Sequence, residues 1–180
     1  FIPMQKITTP TLLLDEDICK TNIRRMVEKA RQHNLRLKPH MKTHQSAQVG
    51  QWIRDAGVSA ITVSSIDMAE YFAQNGWKDI TIAFPCNIVR VQELNKLAQQ
   101  VSLTLLINKA EVANLLDNRL TSPVDTYIEI DSGSERSGLA TDDITGIKKL
   151  ITAIQGTEYV NWVGFYTHAG HSYSCRSEQE

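Results

Sequence analysis

What most constrains the fold is an alternation that repeats along most of the chain. Short apolar runs bounded by turn residues are each followed by a stretch with apolar residues at helical spacing. Leu35–Pro39, Ala60–Ser64, Asp79–Phe84, Ser102–Ile107, Val124–Asp131 and Val160–Thr167 read as strands. Between them Val49, Trp52, Ile53 and Ala56, then Ala69, Phe72 and Ala73, then Val91, Leu94, Ala98 and Val101 mark helical faces. Val112, Leu115 and Leu116 mark another, and Ile144, Ile147, Ile151 and Ile154 the last. An additional strand at Thr11–Leu14 and a helix through Ile23, Met26, Val27 and Ala30, ended by Asn34, precede the series. Asp15 or Asp17 caps that helix, Asp67 with Glu70 forms a capping box, and Asn108 with Glu111 starts another helix.

Strands that alternate with amphipathic helices pair in parallel through right-handed crossovers. Ile80–Phe84 and Leu103–Ile107 are largely apolar on both alternations, as strands covered on both faces are. The chain therefore reads as α/β, a parallel (β/α)8 TIM-type barrel that is incomplete at about six β/α units, since a full barrel takes about 250 residues. Residues 1–180 form one barrel domain, truncated at its C-terminus. An open sheet of six strands is the competing arrangement.

The bulk numbers exclude several function classes. A net charge of −1 lacks the basic excess that nucleic-acid or anionic-membrane binding needs. No apolar run reaches the roughly 18 residues of a membrane helix, and no basic-then-apolar leader opens the chain. Met4 is a candidate start, which would make Phe1-Ile2-Pro3 extraneous. Cys19, Cys86 and Cys175 are odd in number and widely spaced, so neither a disulfide framework nor a cysteine zinc site is expected, and a cytoplasmic setting fits best.

In a parallel α/β protein the functional groups lie at the C-terminal ends of the strands. The polar residues obey this. Pro39-His40-Met41-Lys42-Thr43-His44 follows one strand, Ser64-Ser65 the next, and Pro85-Cys86-Asn87 another. Asp131–Gly138 and Thr167–Tyr173 follow two more, and four of the five histidines fall in the first and last of these loops. Lys42 can form a Schiff base with a carbonyl if neighbouring groups free its amine; otherwise it is an ordinary solvated lysine. His40, His44, His168 and His171 could instead bind a metal, although Pro39 biases the preceding backbone toward an extended form and no His-Glu-x-x-His pattern is present. Gly133-x4-Gly138 has the spacing of a phosphate loop, but Leu139-Ala140 replaces the lysine and hydroxyl that a nucleotide loop requires. What remains there is Arg136, which can pair with a carboxylate, a phosphate or a ring nitrogen. His168 can stack on a planar ligand and Tyr173 can donate a hydrogen bond or a proton.

Taken together, Pro39–His44, Glu129–Gly133 with Arg136-Ser137-Gly138, and Gly164–Tyr173 resemble the D-threonine aldolase and D-serine dehydratase group. These are pyridoxal-phosphate enzymes with an alanine-racemase-like barrel. The similarity runs from about Thr9 to Tyr173. It implies a pyridoxal 5'-phosphate lyase acting on D-β-hydroxy amino acids, cleaving D-threonine or dehydrating D-serine. Lys42 would carry the Schiff base, Arg136 would face the pyridine nitrogen, His168 would stack on the ring, and Tyr173 would lie near the cofactor. The resemblance also implies a homodimer, and a C-terminal β-domain, absent from this sequence, that supplies a divalent-metal site. No metal is therefore assigned to a residue here. An amino-acid racemase or a non-catalytic cofactor-binding domain is the alternative, and a histidine-based metallohydrolase follows behind.

Overall fold

A computed structural model describes residues 8–11, 13–177 and 179. Among the described residues there are six α-helices and six strands. They are α1 (Glu16–Gln32), α2 (Ala47–Asp55), β1 (Ile61–Val63), α3 (Ile66–Gln74), β2 (Asp79–Pro85), α4 (Val91–Ala98), β3 (Ser102–Ile107), α5 (Ala110–Asp117), β4 (Val124–Asp131), β5 (Leu139–Ala140), α6 (Ile144–Gln155) and β6 (Val160–Tyr166). All strand pairings are parallel, and the long strands lie side by side as β1-β2-β3-β4-β6. The two-residue β5 pairs only with the far end of β4. The order has no reversal, so the sheet lacks the switch point of a doubly wound fold.

The apolar strands are buried as the sequence implies. Ile61, Val63, Ile80, Leu103, Leu105, Leu106, Ile107 and Ile128 are almost completely enclosed. The helices bring Phe72, Leu94, Leu97, Leu116, Leu150 and Ile154 against them. Burial of this kind stabilises by about 1.5–3 kcal/mol per large side chain. The last strand differs: Trp162, Val163 and Phe165 on β6 are exposed, and β6 pairs only with β4.

Four expectations need correction. Leu35–Pro39 is not a strand; its backbone pairs with the sheet's backbone only at Pro39 and the adjoining His40. The Thr62 N–H donates to the Pro39 carbonyl (2.9 Å) and His40 forms a lone bridge to Thr62. The segment's neighbour β1 is only three residues long, Ile61–Val63, and offers little ladder to extend. Thr11, Leu13 and Leu14 form no strand either, Leu12 lying outside the described residues. Helix α3 is capped two residues earlier than the capping box suggested, by Ser65, whose Oγ accepts the Met68 N–H (3.1 Å). Asp67 instead pairs with Arg90 (2.9 Å). Helix α5 begins after Lys109 with no side-chain cap. Asp15 caps α1 as expected, accepting from Ile18 (2.9 Å).

The sheet is curled. Flat strands about 4.8 Å apart would hold the His40 segment and β6 some 20 Å or more from each other. Yet His40 and His168, the residues beyond these two edges, line one cavity.

Candidate active site

The loop after Pro39 is held by Met41, which is fully enclosed. Its Cε occupies the space a side chain on Gly50 would need, since a Cβ there would lie 3.2 Å from it and 3.3 Å from Trp77 Nε1. Met41 thus fixes a short 3-10 turn, Met41–Thr43, of which Lys42 is the middle residue. His40 caps the turn: its Nδ1 accepts the Lys42 N–H (3.3 Å), which leaves the neutral ring's proton on Nε2. Burial first, then the Lys42 ammonium and His168, hold the His40 imidazole down to about 4. Nζ of Lys42 makes no hydrogen bond and no ion pair among the described residues.

The loop after β4 is wound around two carboxylates. Asp131 Oδ1 accepts the N–H groups of Gly133 (2.9 Å), Ser134 (2.9 Å) and Glu135 (3.2 Å). These bonds, led by Gly133, hold its carboxyl below the usual range. They also rule out a phosphate loop, because the donors that would cradle a phosphate are already used. Further on, Ser137 Oγ donates to Glu129 Oε1 (2.7 Å). Gly138 then closes the loop at φ +108°, where a Cβ would stand 2.7 Å from the Asp131 nitrogen. Arg136 lies between these anchors, exposed, with no hydrogen bond or ion pair among the described residues.

The cavity at the C-terminal ends of the strands is lined by His40, Lys42, Glu129, Arg136, Tyr166 and His168, with Ser64, Ser137 and the β2 residues Ala83–Pro85. It unites three of the four residues singled out from sequence. Tyr173 is not among them: it is largely exposed in the turn Gly170–Ser174, meeting His168 edge-on at 6.1 Å between ring centroids. Sequence reasoning assigned no role to Glu129, Ser137 and Tyr166. Glu129 and Tyr166 are register partners on β4 and β6, and the Tyr166 phenol is pushed up by burial and by the Glu129 carboxylate, so it stays protonated.

The four histidines do not gather. His44 faces the apolar groove between α1 and α2, edge-on to Phe72, with Nδ1 accepting the Ser46 N–H (3.1 Å). Among the described residues no three His, Cys, Asp or Glu side chains are placed to share a metal. Cys86 sits beside the cavity's neighbouring cleft, where burial pushes its thiol up to about 12 and leaves it unreactive.

Residues 14–180 match the model of the alanine racemase N-terminal domain. The chain belongs to that family. It is 32% identical over 174 residues to the D-threo-3-hydroxyaspartate dehydratase of Delftia sp. HT23, covering 93% of this chain and 45% of the relative. It is 24% identical to the D-serine dehydratase of Dictyostelium discoideum, covering 97% and 48%, and 23% identical to a D-threonine aldolase of Arthrobacter sp., covering 99% and 48%. The solved structure of the Delftia dehydratase superposes with a TM-score of 0.89 at 29% identity, over 97% of this chain and 47% of that one. The chain thus spans about half the length of the relatives it matches.

Proposed function

We propose that this chain is the cofactor-binding half of a pyridoxal-phosphate lyase acting on D-β-hydroxy amino acids, with Lys42 as the covalent anchor. The observation that carries the reading is the cavity itself. It holds one lysine and one arginine with no protein partner, a neutral imidazole, a second histidine, and a buried carboxylate with one unpartnered oxygen. A planar, anionic aldehyde fits that donor set. When bound, pyridoxal phosphate supplies an electron sink for charge developing at the substrate Cα.

The chain's own residues divide the remaining work. Lys42 provides the amine, on a turn immobilised by Met41. His40, neutral at physiological pH, presents its Nε2 proton to the cavity as a hydrogen-bond donor. Arg136 would face the ring nitrogen; always charged, it keeps that nitrogen unprotonated and tempers the sink. His168 would stack on the ring, with Tyr173 closing over its edge. The matching relatives include both a dehydratase and an aldolase, so the choice between β-elimination and carbon–carbon cleavage is assigned to the intact polypeptide. The same holds for homodimer formation and for a divalent metal, which no residue of this chain is given. A (β/α)8 barrel completed between β6 and the Leu35–His40 segment is the matching architecture. It is supported by the unreversed strand order, the curl of the sheet and the exposed Leu35, Trp162, Val163 and Phe165.

The test is direct. The intact protein mixed with pyridoxal phosphate should develop the visible absorbance of a lysine adduct and turn over D-threonine, D-serine or D-threo-3-hydroxyaspartate, but not their L-forms. Lys42→Ala should abolish both while leaving the far-UV dichroism unchanged. A colourless intact protein in excess cofactor contradicts the reading.

A further inference from the structure

Glu129 is, among the described residues, the only ionisable side chain that is fully buried, at 3% exposure. It lies near the end of β4 and lines the cavity. Ser137 serves Oε1, whereas Oε2 is buried with no partner. Resting on the cofactor-site reading above, we propose that Glu129 is a positioning residue: docked by Ser137, its carboxylate orients the Arg136 guanidinium toward the bound cofactor.

A buried carboxylate is costly unless a charge or several donors compensate it. One hydroxyl is too little. The groups that face Glu129 across the cavity are His40 and Lys42 from the first loop, Arg136 from its own loop, and Tyr166 and His168 from β6 and its end. Of these, His40 is neutral and Tyr166 is a neutral phenol. On the cofactor-site reading the Lys42 nitrogen is committed to the cofactor and the His168 ring to stacking on it. Arg136 remains, a cation that cannot lose its proton and that presents several donors in a rigid fork. It is adjacent in sequence to Ser137, the residue already bonded to Glu129. The loop is tied on both sides of Arg136, by Asp131 to residues 133–135 and by Glu129 and Gly138 beyond it. Only the arginine is left free to swing. A carboxylate with one spare oxygen beside an arginine with none of its donors used is the arrangement of a guide awaiting its ligand.

A double-mutant cycle on the intact protein tests this, read by absorbance titration with pyridoxal phosphate and by the pH midpoint of the bound chromophore. Glu129→Gln keeps the size and the bond from Ser137 but removes the charge. It should weaken cofactor binding about tenfold and displace the midpoint by about half a unit or more, with Glu129→Asp restoring part of both. In an Arg136→Ala background the same Glu129→Gln change should alter neither. A general packing role would leave the midpoint where it is. If Glu129→Gln binds and titrates like the parent, or if its effect persists undiminished without Arg136, the positioning role is wrong while the cofactor site stands. If the parent protein forms no chromophore, both fall together.

Discussion

Lys38 and Lys42 are four residues apart on one segment and live opposite lives. Lys38 lies on the N-terminal side of the sheet's edge. Its Nζ reaches Asp79 Oδ1 (2.9 Å) and Thr81 Oγ1 (3.2 Å), and Asp79 takes Arg36 on its other oxygen. Every charge in that cluster has a partner of opposite sign. At the other end of the strands Lys42, Arg136 and Glu129 Oε2 face a shared space with no partner for any of them. The same residue types therefore serve two purposes. Where charges are matched they fasten the Leu35–His40 segment to β2; where they are left unmatched, the proposed function gives them a ligand to meet. Unmatched charges cost stability, and a fold retains them where function uses them.

This contrast can be broken by substitutions of opposite sign. Asp79→Ala strands two cations, one of them only partly exposed, and should destabilise by about 2 kcal/mol, between the values for surface and buried pairs. Equilibrium urea unfolding measures it, and a neutral result would remove Asp79 as the fastener. Glu129→Gln should do the reverse in the cofactor-free protein, stabilising it by about 1 kcal/mol because an uncompensated buried charge disappears. A loss of stability there would mean that Glu129 is already paired, and the two ends of the sheet would no longer differ.

A smaller effect follows from His40. Its folded-state value, about 4, lies below the ordinary 6.5. The unfolded chain therefore takes up a proton first as the pH falls. His40 costs no stability above about 6.5, and stability declines between 6.5 and 4. His40→Gln should flatten that part of the pH profile in chemical denaturation. An unchanged slope would show that His40 is not held neutral by the cavity.

The fold was legible where local pattern and tertiary context agree. The central strands are covered on both faces, so their apolar runs could be read without knowing their neighbours. Leu35–Pro39 was over-read, since an apolar alternation becomes a ladder only with partners on its edges. The α3 cap was misplaced because Ser65 and Asp67 are both good caps and only the packing of α3 decides between them. Lys42, Arg136 and His168 were legible because each interrupts or follows an apolar run with a polar loop. Glu129 was hidden by its surroundings: in Tyr127-Ile128-Glu129-Ile130 it alternates as a solvent-facing strand residue does. Only the curl of the sheet, which turns the inner face of β4 toward His40 and Lys42, makes that position an interior one. Tyr173 was expected near the cofactor from the family resemblance alone, and its exposure could not be foreseen.

The two lysines also provide the most direct test. The intact protein should be loaded with pyridoxal phosphate, reduced with borohydride, digested and mapped by mass spectrometry. The account predicts a single modified lysine, Lys42, with Lys38 untouched because its amine is bonded to Asp79 and Thr81. Modification spread over surface lysines, or no stable adduct at Lys42, would contradict it.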